Sequence, residues 1–555
     1  MGEFDIKILA DPEAFFENRL PAHSDHDYYV DEKNAEADEP DQKVLLNGVW
    51  KFNYSQTVDE APLNFEKIEY DVTSWDEIKV PAHIQMEGYG HPAYVNTQYP
   101  WDGIEELEPG EVPKYFNPTG SYVRFFSLPD FMKEGPVYIS FQGAESAIAV
   151  WLNGHYIGYS EDSFTPSEFD LTEYVDRDGV NKLAVRCFRF SSASWCEDQD
   201  FFRFSGIFRD VYLYTVPKVH VRDMKILTEL DDNYEDADLK INFDIVTWGD
   251  AVPGKAVISL FDEEGNDAGT KEIFLADEKE AVIHVENPKK WSAEIPNLYD
   301  VEIRITNDAG EQTEFINENI GFRKFELKNS VMYLNGKRIV FFGVDRHEFS
   351  SETGRVVSDE DILKDILTMK RNNINAIRTS HYPNRTLLYR LCDIYGIYLI
   401  DETNLETHGV WDSIGRNIHQ LDYSVPGDRP EFLEMIIDRA RSMYERDKNH
   451  PSILIWSCGN ESFGGTDLLK MSNEIRSWDP SRLVHYEGVW WDPRYPETTD
   501  MVSTMYQSVE DIKKFLSEHR DKPYISCEYA HAMGNSCGAI YKYTELTETE
   551  ELYQG

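Results

Sequence analysis

Cysteine is scarce in this chain of 555 residues: there are six, and no two of them have the CxxC spacing of a metal or redox pair. Such sparse thiols predict a reduced protein that is held together by hydrophobic cores, not by disulfides or structural zinc. The amino-terminal residues also lack a basic start followed by an apolar stretch, so no secretory signal is predicted. These absences lead us to expect a cytoplasmic protein.

Positive charge is also in short supply. Lysine and arginine total 54 against 102 aspartates and glutamates, which gives a formal net charge of −48. Nucleic acid and anionic membranes both require a basic surface, so neither is expected as a partner. No run approaches the roughly 18 apolar residues of a membrane-spanning helix. A neutral ligand such as a sugar would not be repelled by this surface.

The chain is longer than one hydrophobic core usually supports, so several domains are expected. Its first two-thirds are rich in short strand patterns, and three Asn-Gly pairs, at residues 47–48, 153–154 and 335–336, predict hairpins. We predict four parts: an N-terminal extended segment (1–43), a jelly-roll domain (44–216), an immunoglobulin-like β-sandwich (217–324) and a catalytic TIM-type (β/α)8 barrel (325–555).

The last part alternates apolar runs with helical patterns, as expected for parallel strands covered on both faces. Ser358 is predicted to cap one helix and Pro430 to open another. Seven strands are predicted, in the sequences RIVFFGVDR, AIRTSH, YLIDETN, ILIWSCGN, LVHYEG, MVSTMY and PYISCEY. A closed barrel needs eight, so we expect this barrel to lack its eighth strand and to be incomplete at its C-terminal end.

Polar side chains follow these apolar runs, where active sites of parallel barrels lie. The residues at the predicted strand ends are Arg346, His347, His381, Glu402, Asn404, Glu406, His408, Asn460, Glu461, Glu487, Met505, Tyr506, Glu528 and His531. Any one of them could be an ordinary loop residue. A whole set at one mouth predicts an active site.

Two carboxylates in this set, Glu461 and Glu528, have the chemistry of a glycosidase pair. Cleaving a glycosidic bond requires one carboxyl group that donates a proton and one carboxylate that acts at the anomeric carbon. We expect Glu461 to have a raised pKa in the free protein because other carboxylates lie nearby. Pairing of either acid with a strand-end arginine is the structural alternative.

Glu406 and His408 are two residues apart, which places both on one face of extended backbone. Together with Glu461 they could bind Mg²⁺ or Mn²⁺. A simple hydrogen bond between the imidazole and the carboxylate is equally compatible with the spacing.

Several long motifs resemble family 2 glycoside hydrolases, specifically bacterial β-galactosidases, and most closely the large subunits of two-subunit forms. The resemblance covers nearly the whole chain from about residue 12. The matching stretches are YVNTQYPWDG, WLNGHYIGYSEDSFTPSEFDLT, EDQDFFRFSGIFRDVYL, GVDRHEFSSETGRVVSDEDILKDILTMKRNNINAIRTSHYPN, DETNLETHG, RDKNHPSILIWSCGNES and CEYAHAMGNS.

The resemblance implies a role for each matching residue. Glu461 would be the acid/base and Glu528 the nucleophile, and Glu406, His408 and Glu461 would bind Mg²⁺. Asp200 would bind Na⁺ as well as substrate. The remaining residues implied to hold the sugar or steady the nucleophile are Asn96, His347, His381, Asn460, Met505, Tyr506 and His531.

The function implied is retaining hydrolysis of terminal β-D-galactosides such as lactose, with transfer to other sugars as a side reaction. A small subunit or a C-terminal complementing segment is the expected partner, and a homo-oligomer is possible. The alternatives are another family 2 activity, β-glucuronidase or β-mannosidase, and a subunit that is inactive without its complementing chain.

Overall fold

The computed structural model describes residues 3–37, 42–532, 534 and 537–555. Residues 1, 2 and 38–41 of the predicted N-terminal segment, and residues 533, 535 and 536 of the CEYAHAMGNS motif, lie outside the described part. Among the described residues, no helix is both long and apolar enough to cross a bilayer.

Two antiparallel sheets form the predicted jelly roll, and their facing side chains make one hydrophobic core. The central strand Ala147–Leu152 is buried on both faces, because the N-terminal segment and the loop around Phe65 cover its outer side. In sheet order, the seven-stranded sheet comprises Phe16–Glu17, His155–Glu161, Ala147–Leu152, Asn181–Phe188, Thr119–Phe126, Gly48–Ser55 and Asp76–Val80. The second sheet comprises Ser167–Asp170, Tyr138–Phe141, Val211–Tyr214 and Lys43–Leu45.

Two of the three predicted Asn-Gly hairpins are confirmed. Leu152 pairs with His155, and Leu334 pairs with Lys337, with the Asn-Gly residues of both turns at positive φ as a tight hairpin requires. The prediction at Asn47-Gly48 is wrong, since the strands on either side belong to different sheets. The Asn47 side chain instead bonds to Asp210 and to the backbone N–H of Val211, which makes this segment a corner between the two sheets.

A second β-sandwich follows, with its own core of alternating apolar residues. Its smaller sheet contains Val219–Leu230, Ala237–Thr247 and Glu280–Val285. The larger contains Tyr28–Tyr29, Gln312–Ile320, Tyr299–Asn307, Pro253–Phe261 and Asp267–Phe274. The N-terminal segment thus contributes one short strand to each sandwich and joins the two domains. A three-stranded sheet, Phe325–Lys328, Val331–Leu334 and Lys337–Arg338, leads into the barrel.

All seven predicted parallel strands are present. They are β1 Gly343–Asp345, β2 Ala376–Arg378, β3 Tyr398–Glu402, β4 Ile453–Ser457, β5 Leu483–His485, β6 Val502–Met505 and β7 Tyr524–Glu528. β1 to β5 pair in order, as do β6 and β7, and every pair is parallel.

The helices predicted after β1, β2, β3 and β7 are present, and further α-helices follow β3, β4 and β6. They are α1 Asp359–Arg371, α2 Thr386–Tyr395, α3 His408–Gly415, α4 Pro430–Asp447, α5 Thr466–Trp478, α6 Val509–Glu518 and α7 Ile540–Thr549. Ser358 and Asp361 form the predicted capping box of α1, and Pro430 is the first residue of α4.

The final residues lie beside the barrel in the position where an eighth strand would begin. The Ser526 N–H donates to the Gly555 carbonyl at 2.8 Å, and Tyr553 pairs with Tyr524 in parallel orientation. On the other side, the Phe341 N–H donates to the Gln554 carbonyl at 2.8 Å. Seven barrel strands are therefore assigned within the described residues, as predicted, and residues 552–555 lie between β7 and the segment that enters β1.

Candidate active site

The nucleophile candidate, Glu528, lies at the end of β7 and accepts hydrogen bonds from two side chains. Arg378 Nη1 donates to Oε1 at 3.0 Å, and the Tyr506 hydroxyl donates to Oε2. Tyr506 follows β6 with φ at 62°, and its backbone N–H donates to the Glu528 carbonyl at 2.8 Å. Partial burial and the adjacent Glu528 both raise the pKa of Tyr506, so its phenol retains its proton and remains a donor.

Arg378, the last residue of β2, is the centre of this side of the mouth. Besides Glu528, its buried guanidinium donates to Glu402 at 2.6 Å, Asp345 at 3.2 Å and Asn460 at 2.8 Å. Burial disfavours the charged form, but the surrounding carboxylates outweigh burial and raise the pKa of Arg378. Sequence reasoning missed this residue. Its signal was an arginine in an otherwise apolar strand whose neighbouring strands end in acids.

Glu461 lies in the turn after β4, with φ at 33°. Its N–H donates to Glu487 Oε1 at 2.8 Å, and its Oε2 lies 2.9 Å from His408 Nδ1. Burial would raise the pKa of Glu461, but contact with His408 outweighs burial, and the pKa is lowered. The prediction of a raised pKa is therefore wrong for this structure. The neighbouring imidazole compensates for the negative charges that were expected to raise it.

Glu406, His408 and Glu461 form a candidate metal centre. Each offers one ligand atom, and these atoms all lie within 4.8 Å of one another. His408 Nδ1 also lies 3.5 Å from Glu406 Oε1, yet it is buried and has no hydrogen bond of good geometry. Two carboxylate oxygens and an imidazole nitrogen around one point suit a divalent cation. Asp200 belongs to no such cluster among the described residues, so the Na⁺ site remains a prediction.

The jelly roll reaches the mouth through the segment that contains Asp200. Its strand Glu197–Asp198 pairs in parallel with Glu406–Thr407 of the barrel, and the Asp200 N–H donates to Glu406 Oε1 at 3.2 Å. Asp200 also accepts a hydrogen bond from the Tyr94 hydroxyl. Val95 pairs with Phe201, which places the half-buried Asn96 beside Asp200. The jelly roll thus supplies two of the predicted site residues, Asp200 and Asn96, to the barrel mouth.

The predicted histidines lie around the same mouth. His381 Nδ1 lies 2.7 Å from Glu402, and the ring of His347 stands perpendicular to that of His381 at 5.5 Å. His347 also stacks on Phe201 at 4.5 Å. Burial lowers the pKa of His381 to about 3 and that of His347 well below its usual value, so both rings are neutral and can hydrogen-bond a neutral ligand. His531 is exposed, with its Nδ1 3.1 Å from the Tyr506 hydroxyl.

Three residues expected at the mouth are buried, and two of them bind side chains away from it. Arg346 binds Asp365 and Asn384 behind β1. Asn404 is buried at the domain contact, where it binds Asp162, Glu197 and Gln199. Met505 pairs with Glu528 in strand register and is buried. Glu402 and Glu487 are buried below the mouth and hold Arg378, His381 and the Glu461 backbone in place.

Jelly roll, immunoglobulin-like sandwich and parallel barrel, with an acidic pair at the barrel mouth, are the architecture of a multidomain glycoside hydrolase. Family comparisons agree domain by domain. Residues 44–217 match the sugar binding domain of glycosyl hydrolases family 2, residues 219–323 match "Glycosyl hydrolases family 2", and residues 325–555 match that family's TIM barrel domain. The chain belongs to glycosyl hydrolases family 2.

Among curated relatives, the chain is 50% identical to a β-galactosidase of Halalkalibacterium halodurans, over 99% of this chain and 54% of that protein. It is 42% identical to a β-galactosidase large subunit of Leuconostoc lactis, over 99% of this chain and 89% of that subunit. The chain thus spans about half the length of the first of these relatives. A solved β-glucuronidase of Bacteroides uniformis shares the fold, with a TM-score of 0.73, 22% identity, and coverage of 93% of this chain and 64% of that one.

Proposed function

We propose that this chain carries the active site of a retaining β-galactosidase, which hydrolyses terminal β-D-galactosides such as lactose. One observation carries the proposal. The guanidinium of Arg378 contacts Glu528 through Nη1 and Asn460, the residue before Glu461, through Nη2. One arginine therefore binds Glu528 and the residue next to Glu461, which brings two distant parts of the sequence to one mouth. Relatives named β-galactosidase, up to 50% identical, support the choice of galactoside.

The surroundings of the two acids suggest their roles. Arg378 and Tyr506 both donate to Glu528, which stabilises negative charge on the carboxylate that would attack the anomeric carbon. Glu461 would donate a proton to the departing oxygen and would then take one from water, so that galactose leaves with its configuration retained. An acceptor sugar in place of water would give transfer. Neutral His347 and His381, with Asp200 and Asn96, would hold the sugar hydroxyls.

We propose Mg²⁺, or Mn²⁺, as the cation of the Glu406, His408 and Glu461 cluster. Bound there, the ion would supply positive charge beside the acid/base. Asn460 Nδ2 donates to Glu406 at 3.1 Å and so fixes one proposed metal ligand beside Arg378. We also propose Na⁺ at Asp200, which is the one ligand identified for it among the described residues.

A partner is also proposed. The relatives covered over most of their length are named large subunits, which supports a small subunit or a complementing C-terminal segment. Assembly into a homo-oligomer is compatible with this proposal. All six cysteines are free, and five of them are buried, which supports the proposed cytoplasmic location.

A panel of nitrophenyl glycosides tests this function. We expect the β-galactoside to be cleaved far faster than the β-glucuronide or β-mannoside, and proton NMR should show β-galactose as the first product. Preference for the glucuronide, or release of α-galactose, would overturn the proposal. The chain should be assayed alone and with a candidate small subunit, so that dependence on a partner is measured directly.

A further inference from the structure

Two tryptophans extend from the Glu461 side of the mouth and have no role in the chemistry described above. His408 begins α3, and Trp411 lies three residues later on the same face of the helix. The rings of His408 and Trp411 are 5.3 Å apart and nearly perpendicular, and Trp491 packs against Trp411 in the same manner at 5.5 Å. A row of contacting aromatic rings therefore runs from His408, beside Glu461, to the exposed Trp491.

Trp491 keeps 43% of its surface exposed, although a tryptophan gains most by burial. A large aromatic ring left open beside a reaction centre is typical of a surface that a ligand covers. The apolar C–H face of a pyranose is the kind of group that such a ring accommodates.

The loop that carries Trp491 is held at both ends. Glu487, at its start, accepts the N–H of Glu461 at 2.8 Å. Arg494, at its end, binds Asp492 at 2.7 Å and Asp428 at 2.9 Å. The position of Trp491 is thus tied to the backbone of the acid/base, and the ring can receive a ligand without first being ordered.

We propose that Trp411 and Trp491 form the subsite for the leaving sugar, and that the same subsite receives the acceptor sugar in transfer. The inference rests on the proposed function. The acid/base must lie next to the departing oxygen, so the leaving sugar must lie on the Glu461 side, where these rings are. In transfer, an acceptor hydroxyl oxygen bonds to the anomeric carbon, the bond from that carbon to Glu528 breaks, and the hydroxyl proton goes to Glu461.

The test compares two galactosyl donors in the whole chain, with the small subunit added where activity requires it: lactose, whose leaving group is a sugar, and β-galactosyl fluoride, whose leaving group is not. Trp491→Ala should lower kcat/KM for lactose about tenfold and leave that for the fluoride within about twofold. With glucose added as acceptor, the ratio of transfer to hydrolysis should fall about tenfold as well. Trp411→Phe, which keeps a ring and loses no hydrogen bond recorded in the structure, should have a smaller effect on both readouts.

Trp490→Ala is the matched control. Trp490 is adjacent in the same loop and similarly exposed, but it packs on Phe515 of α6, away from His408. Equal losses on lactose and the fluoride, or equal losses in the Trp490 and Trp491 variants, would overturn the subsite. A wild-type protein that cleaves neither donor, alone or with the small subunit, would overturn the proposed function and this inference with it. These outcomes are distinguishable because the first two require an active wild type.

Discussion

The two acids at the barrel mouth are supported in opposite ways. Glu528 is surrounded by groups of this chain that donate hydrogen bonds, Arg378 and Tyr506. Glu461 lies beside His408, and both belong with Glu406 to the candidate metal centre. Two donors of this chain thus stabilise negative charge on Glu528, whereas the proposed cation would add positive charge beside Glu461.

Because of this difference, we expect substitutions and metal removal to change activity differently on the two sides. A group that attacks carbon must stay ionised and fixed, and permanent donors achieve both. A group that gives and takes a proton must change its charge during the reaction, so its neighbours must tolerate both states. The expected responses to substitution and to removal of metal follow from that contrast.

The largest effect is expected for Glu528→Gln, which is nearly isosteric and keeps one of the two acceptor oxygens but removes the nucleophile. We expect kcat for any β-galactoside to fall by about 10⁴-fold or more. Steady-state assays measure this, with the exposed Glu510→Gln as a charge-matched control. Retention of a tenth of wild-type activity in a folded Glu528→Gln protein would contradict the assignment.

A smaller loss that depends on the substrate is expected for Glu461→Gln, because only a poor leaving group needs a proton. The kcat/KM for lactose should fall by about 10²- to 10⁴-fold. The kcat/KM for a dinitrophenyl galactoside, which reports the first step and whose leaving group departs as an anion, should fall about tenfold less. An identical loss of kcat/KM for both substrates would show that Glu461 does not protonate the leaving group.

Removal of metal should act on the Glu461 side alone. Treatment with a chelator, or the variant Glu406→Gln, should lower lactose turnover about 10- to 100-fold, and Mg²⁺ should restore only the chelated wild type. Tyr506→Phe should respond to the chelator as strongly as the wild type does, because it perturbs the other side. Full activity in protein shown by elemental analysis to be metal-free would exclude the cation from the reaction.

The smallest effect is expected for Tyr506→Phe, which removes one hydrogen bond to the Glu528 carboxylate and leaves Arg378 in place. We expect kcat to fall about tenfold, the value typical of a hydrogen bond to a charged group. Tyr529→Phe is the control, since that hydroxyl is 3.4 Å from the Gly343 carbonyl and does not contact Glu528. Equal losses in the two variants would show that the phenol of Tyr506 has no special role.

Much of this arrangement could be predicted from the sequence because it depends on local patterns. Apolar runs marked all seven barrel strands, and polar residues directly after them marked the mouth. What the pattern could not reveal is where each side chain points. Arg346 and His347 are neighbours, yet Arg346 turns toward α1 while His347 faces His381.

Contacts between distant segments explain the other features of the structure that the sequence analysis did not predict. Arg378 stands out in its apolar strand, but its role arises only when β1, β3, β7 and the turn after β4 present groups to it. Asn47-Gly48 satisfies the hairpin rule, but the Asn47 side chain finds Asp210 across the jelly roll, and tertiary pairing outweighs the local turn preference. The lowered pKa of Glu461 likewise depends on the position of His408.

The most direct test of the central claim is to identify the residue that becomes covalently attached to the sugar. A 2-deoxy-2-fluoro-β-galactoside with a good leaving group should form a long-lived ester, because the fluorine slows the second step of the reaction. Mass spectrometry of the digested protein should place the added fluorogalactosyl mass on Glu528. Attachment to Glu461 or to any other residue, or turnover of galactosides with no labelled peptide, would contradict the proposed division of roles between the two acids.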